Sequence, residues 1–174
     1  GIEKIDFSAL KVALGGGMAV QEAVAKRWKA LTEVTLLEAY GLTETSPAVC
    51  INPIDLPQYN GMIGLPLSST DVSVRNLEGD ELPLGEAGEL WVRGPQVMRG
   101  YWNRPEETAK VLTAEGWLRT GDVAIINEQG YVRLVDRLKD MVLVSGFNVY
   151  PNEIEDALAS HPKILESGVV GVKD

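Results

Sequence analysis

Tyr40-Gly41-Leu42-Thr43-Glu44 sets a flat aromatic face, a flexible glycine, a hydroxyl and a carboxylate within five residues. An aromatic face stacks on a base, a hydroxyl bonds a phosphate oxygen, and a carboxylate holds a divalent cation such as Mg²⁺. A plain strand-to-loop turn explains the same residues, and Glu44 is equally well a solvated carboxylate. So short a match decides neither. Upstream, Gly15-Gly16-Gly17 lets backbone N–H groups approach a ligand ahead of a helix N-terminus that favours an anion; a simple tight turn explains it as well. Thr120-Gly121-Asp122 places a carboxylate at the start of a strand, where one Asp accepts both hydroxyls of a ribose or merely shapes a turn. Arg137 adds a second polar contact to a sugar or phosphate, or pairs at the surface with Asp136 or Asp140.

These residues need a frame. Leu10–Leu14 reads as a strand emptying into the glycine loop, and Val20, Val24, Trp28 and Leu31 mark one face of the helix that follows. Val34–Ala39 reads as a buried strand whose carboxyl end carries Tyr40–Glu44 on a loop, where α/β sheets bind ligands. Strand, glycine loop, helix, strand and loop make a β-α-β unit with both loops on one edge. After Pro47 the texture changes to proline- and glycine-punctuated loops, then to the short alternating runs Asp71–Arg75 and Glu89–Arg93. Pro105, Glu106 and Glu107 start one helix that ends near Thr113. Strands resume at Asp122–Ile126 and Gly130–Val135, followed by the charged link Asp136–Asp140. Met141–Val144 and Phe147–Tyr150 flank a two-residue turn, Pro151 opens a helix that His161-Pro162 closes, and Ser167–Val172 is a last strand. Ile154, Ala157 and Leu158 form that helix's inner face, and Trp91, Trp102 and Trp117 read as barrel core.

Composition removes several classes. Apolar residues make up 45% and charged ones 24% of 174, enough to bury a real core. The net charge of −9 argues against nucleic acid or an anionic membrane as the main partner, leaving only a local basic patch at Arg133, Arg137 and Lys139. One cysteine, Cys50, forms no internal disulfide and fits a reducing cytoplasm. No apolar run approaches the roughly 20 residues that span a bilayer. There is no G-x-x-x-x-G-K-[ST] phosphate loop, no paired Cys or His for zinc, and no His or Lys near Ser46 or Ser145 to activate a nucleophile. His161 reads as a helix-end partner rather than a catalyst. The chain opens without Met and stops just after an apolar run, the expectation for a piece of a longer protein.

Together the motifs resemble the adenylate-forming superfamily of acyl-CoA synthetases. They are Gly15–Gly17, Tyr40–Glu44, Gly88–Gly94, Gly100–Pro105, Gly116–Asp122, Val135–Asp140 and Ser145–Glu155. Their order and wording, above all from Gly116 to Met141 and Val144 to Glu155, are most similar to bacterial long-chain fatty acid–CoA ligases. The resemblance implies that Tyr40 stacks on adenine, with Gly15, Gly16, Gly17 and Gly41 lining the same pocket. Thr43 touches the α-phosphate, Glu44 holds Mg²⁺, and Asp122 takes the ribose hydroxyls beside Arg137. Lys139 is the hinge of a C-terminal lid, and Ser145, Gly146 and Phe147 border the tunnel for coenzyme A. Thr43, Glu44 and Lys139 are thus the residues closest to catalysis. The substrates are a fatty acid, ATP and coenzyme A, without nucleic acid, in the cytoplasm or peripherally at the inner face of the membrane.

Two departures limit that reading. The family's Ser/Thr/Gly-rich ATP loop and its C-terminal lysine are not in this sequence; as in the long-chain ligases it resembles, Leu143 and Ser145 stand where some relatives carry lysines. The piece alone is therefore expected to be inactive. Another adenylate-forming ligase, for aryl or medium-chain acids, and a non-catalytic binding module remain alternatives. The expected fold is mixed α/β and β, α+β overall. Residues 1–61 end an α/β subdomain, 62–137 form a distorted β-barrel, and 138–174 are the hinge and a partial α+β lid. The lid's unpaired strand edges invite a homodimer through Met141–Asp174.

Overall fold

The computed structural model describes residues 1–159, 161, 163–164 and 166–172, apart from the side chains of Glu3 and Asp156. The β-α-β unit forms as its periodicity dictates, but more tightly. β1 is only Ala13–Gly15, α1 runs Glu22–Thr32, and β2 runs Leu36–Gly41. β1 and β2 pair in parallel, Ala13 beside Leu36 and Gly15 beside Glu38. Tyr40 and Gly41 therefore belong to the strand, not to the loop after it. The extension follows from the partner: β3 (Ala48–Ile51) turns straight back and pairs antiparallel with β2, Tyr40 opposite Cys50. Gly41 is obligatory there, because a Cβ would lie 1.8 Å from the Pro47 carbonyl oxygen. β4 (Leu65–Pro66) completes a sheet of order β1-β2-β3-β4.

The second sheet is an antiparallel meander of β5 (Asp71–Arg75), β6 (Gly88–Arg93), β7 (Leu118–Ile126) and β8 (Val132–Arg137). It is open, so the expected barrel does not close among the described residues; a single bridge, Gly64 to Val132, links it to the segment before β4. β7 is longer than its alternation suggested, which places Asp122 in mid-strand opposite Arg137 rather than at a strand start. Short α2 (Pro105–Val111) interrupts β6 and β7, with proline in its first turn.

Apolar faces of the two sheets meet in one core. Tyr40, Val49 and Cys50 of the first pack with Val74, Leu90, Val92, Ala124 and Val132 of the second. Burying a side chain of this size contributes about 1.5–3 kcal/mol, so this junction fixes how β2 faces β7. The far side of the β-α-β unit is bare by contrast. Val12, Leu14 and Val24 are about half exposed and Met18 stands 86% exposed, so Val24 does not bury the helix face as expected.

The outer face of the meander carries a stack rather than a buried core. Arg75 lies 4.6 Å from the Trp91 ring and 4.8 Å from Trp117, and Arg93 covers Trp117 at 4.6 Å. Trp91 is buried and Trp117 half-buried, whereas Trp102 is 90% exposed and belongs to no core.

After β8 the chain forms the expected hairpin, β9 (Val142–Val144) and β10 (Phe147–Val149), around Ser145-Gly146 with φ of 51° and 87°. Positive φ at both central residues is the I′ geometry that matches strand twist. α3 (Pro151–Ala159) follows, with Ile154 and Leu158 each 39% exposed and Ala157 exposed, so its apolar face stays open. His161 lies beyond the helix and Pro162 outside the described residues. Ser167–Val172 pairs with no strand among the described residues; Ser167 and Val169 bond to Glu155 instead.

Candidate nucleotide site

The sheet junction brings Tyr40 and Asp122 together across 82 positions of sequence. The Tyr40 hydroxyl donates to Asp122 Oδ2 at 2.6 Å, and Arg137 Nε donates to Oδ1 at 3.2 Å. Asp122 is almost wholly buried while the Arg137 side chain is 55% exposed, so the guanidinium closes the outer side of the carboxylate. Burial first, then the adjacent Asp122 carboxylate, push the Tyr40 phenol far above its ordinary range, and it remains a proton donor. A carboxylate has about four lone-pair sites. Two are taken, by Tyr40 and Arg137, and the other two have no protein partner among the described residues. Arg137 thus pairs with Asp122, not with Asp136 or Asp140.

The turn after β2 is built by Thr45. Its hydroxyl accepts from the Leu42 N–H and reaches the Leu42 and Pro47 carbonyls, and the residue is fully buried. Thr43 and Glu44 ride on the single 3-10 turn Thr43–Thr45, Thr43 exposed and Glu44 half-buried. Glu44 Oε1 accepts the Tyr101 hydroxyl at 2.7 Å, and Oε2 has no protein partner among the described residues.

The glycine loop lies along β2. A Cβ on Gly16 would sit 3.1 Å from the Ala39 carbonyl, one residue before Tyr40. The loop's far end is fastened by Glu38, whose Oε1 accepts the Val20 N–H at 2.9 Å; Tyr59 donates to the Val20 carbonyl. Glu38 is buried, and burial raises its carboxyl above the usual range against the opposing effect of the Val20 N–H and the Tyr59 hydroxyl.

Lys139 is exposed, two residues beyond Arg137, in the turn anchored by Leu138 N–H on the Gly121 carbonyl. Asp136, buried, receives the Asn152 N–H at 3.0 Å and its side-chain amide at 3.1 Å, tying the start of α3 to β8. Ser145, Gly146 and Phe147 stand apart on the hairpin tip, Phe147 75% exposed, with no hydrogen bond to the Tyr40–Asp122 group. Sequence reasoning missed Glu38, Tyr101 and Asp136. Glu38 alone left a signal, as an acid inside an apolar strand.

The geometry is thus a buried aromatic–carboxylate pair capped by an exposed guanidinium, beside a glycine loop and a hydroxyl–carboxylate turn. Residues 2–102 match the family model described as AMP-binding enzyme. The chain belongs to the AMP-binding enzyme family. It is 61% identical over 168 residues to a long-chain-fatty-acid–CoA ligase of Yersinia pestis, covering 97% of this chain and 30% of that protein. A feruloyl-CoA synthase of Amycolatopsis is 41% identical over 97% of the chain and 34% of its own length. The ATP-bound structure of MatB from Rhodopseudomonas palustris superposes with a TM-score of 0.87 at 38% identity, over 92% of this chain and 32% of the other. The chain thus spans about a third of the proteins it matches.

Proposed function

We propose that this chain is the part of a long-chain fatty acid–CoA ligase that holds the nucleoside of ATP and begins the lid. The observation that carries the reading is the convergence of Tyr40 and Arg137 on the buried Asp122 carboxylate, which keeps two acceptor positions without a partner among the described residues. Those positions suit the paired hydroxyls of a ribose. Tyr40, Gly41 and the Gly15–Gly17 loop flank the base. Thr43 donates its hydroxyl to the α-phosphate. In the first step the fatty acid carboxylate attacks that phosphorus and pyrophosphate leaves, giving an acyl adenylate. In the second the thiol of coenzyme A attacks the acyl carbon and AMP leaves. No protein group becomes covalently attached, so positioning and charge neutralisation supply the catalysis.

Magnesium fits the donor set at Glu44: Oε2 is open, and Mg²⁺ is held by one or two carboxylates together with waters and substrate phosphates. A cation held by Glu44 there would neutralise charge on the phosphates. In this reading residues 1–61 and 62–137 form the large domain's share and 138–174 the hinge and partial lid. Lys139 sits at the pivot, and Ser145, Gly146 and Phe147 reach the coenzyme A path when the lid turns.

ATP–pyrophosphate exchange by the full-length enzyme containing this sequence, scanned over acids of increasing length, tests the substrate. Palmitate ahead of short aromatic acids is the expected result, and the reverse order sinks the long-chain assignment. The feruloyl-CoA synthase relative favours an aryl-CoA ligase as the second reading. The exposed apolar hairpin residues Leu143, Val144 and Phe147 support either more lid or a second copy against Met141–Asp174. A monomer by light scattering of the full-length enzyme removes the dimer, and failure to float with anionic vesicles removes a peripheral membrane contact.

A further inference from the structure

The strap from β6 to α2, residues 94–104, grips Glu44 by backbone and side chain. Met98 N–H donates to the Glu44 carbonyl at 2.8 Å, while the Tyr101 hydroxyl donates to its Oε1. Both ends of the strap are fastened. Gln96 Nε2 donates to the Ala48 carbonyl at 3.1 Å and to Thr70 Oγ1 at 2.7 Å. At the other end Tyr101 N–H donates to Thr108 Oγ1, which donates to the Arg104 carbonyl, each at 2.9 Å. Gly100, at φ +147°, permits this approach: a Cβ would lie 2.8 Å from Thr108 Cγ2. The strap thus holds the Tyr101 phenol against Glu44 Oε1.

We propose that Tyr101 is the positioning residue for Glu44, fixing Oε1 so that Oε2 faces a divalent cation. The inference rests on the reading of Glu44 as the metal carboxylate. The terminal torsion of a glutamate is broad and nearly free. Mg²⁺ demands near-ideal octahedral geometry, so a wandering carboxylate is a poor ligand for it. A donor to the non-ligating oxygen removes that freedom. Hydrogen-bond partners of metal-ligating groups are typically worth about 10–100-fold in metal affinity.

The test measures ATP affinity of the full-length enzyme by titration calorimetry, once with Mn²⁺ and once with EDTA. The ratio of the two Kd values is the metal's contribution. Tyr101→Phe is expected to shrink that ratio about 10–100-fold while leaving the EDTA value unchanged. Trp102→Ala, beside it and 90% exposed, is expected to leave both values alone. An unchanged or larger ratio for Tyr101→Phe overturns the proposal, as does an equal loss in Trp102→Ala, which assigns the effect to the strap and not the phenol. Glu44→Gln separates the two levels. A lost ratio there with an intact one in Tyr101→Phe sinks only the positioning role, whereas a wild-type ratio in Glu44→Gln sinks the metal reading and this inference with it.

Discussion

Tyr40→Phe removes one oxygen and tests how the sheet junction is held. The lost bond is short, buried and charge-assisted, from a phenol to Asp122 Oδ2 at 2.6 Å. Such bonds contribute about 1.5–3 kcal/mol, against about 1 for a neutral pair. The ion pair from Arg137 to the same carboxylate carries more formal charge but contributes less. Its guanidinium is 55% exposed, and exposed pairs contribute about 0.2–1 kcal/mol. The variant is therefore expected to melt about 3–12 °C lower, from roughly 2–4 °C per kcal/mol at this size. Arg137→Gln is expected to shift the midpoint far less. The check is a double-mutant cycle with Asp122→Asn, followed by thermal and urea unfolding of the 174-residue chain. A coupling of about 1.5–3 kcal/mol between Tyr40 and Asp122 is the expected result. If Tyr40→Phe costs under about 0.5 kcal/mol, or the two changes add without coupling, the buried bond is not what fixes Asp122. The lone-pair argument for a ribose then loses its anchor.

Three further outcomes follow from single residues. Burial raises the Glu38 carboxyl, so its contribution to stability is full below the ordinary value of 4.5 and is lost as pH rises through the raised one. Glu38→Gln is expected to be more stable than the parent at neutral pH, the gap closing below about pH 4.5; a gap that widens on acidification in urea unfolding contradicts the sign. Burial pushes the Cys50 thiol up to about 12 from 9.0, so thiolate at pH 8 falls from about one in ten to about one in ten thousand. Maleimide labelling should be slow in the native chain and fast in urea, and fast native labelling refutes this. Arg75→Ala, which strips the guanidinium from between Trp91 and Trp117, should cost about 1–2 kcal/mol at roughly 0.5–1 per ring. It should also change the near-ultraviolet circular dichroism of the tryptophans, and an unaltered spectrum argues that the stack is incidental.

Periodicity revealed elements better than their limits. The β-α-β unit, α2, the hairpin and α3 each carry a local signal: a 3.6-residue stripe, a first-turn proline, or a two-residue turn. What failed depended on partners far along the chain. Tyr40 and Gly41 read as loop because only β3, after the turn, extends β2 through them. Trp102 read as core because an aromatic's type says nothing about whether a second sheet lies over it, and none does. Barrel closure depends on strand tilt and stagger, which short alternating runs do not encode.

The candidate site divides the same way, and the division is physical. Tyr40, Asp122 and Arg137 were legible one at a time, yet each alone admitted a bland explanation; their meaning lies in the angle between two sheets set by Val49, Leu90 and Val92. Tyr101 meets Glu44 across 57 positions through a strap with no period at all. Asp136 illustrates the limit most fully. In sequence it is one charge in Asp136–Asp140, a run that reads as a charged link. In the fold it is buried, and both its oxygens are taken, by Arg137 N–H and by the backbone and amide of Asn152. Breaking a buried carboxylate away from partners like these costs about 1–3 kcal/mol, so α3 is held to β8 across the exposed turn at Lys139. Asp136→Ala should therefore raise hydrogen exchange in residues 141–155 while leaving β5–β7 protected. If exchange there stays at the parent's level, the link between α3 and β8 rests on contacts other than this carboxylate.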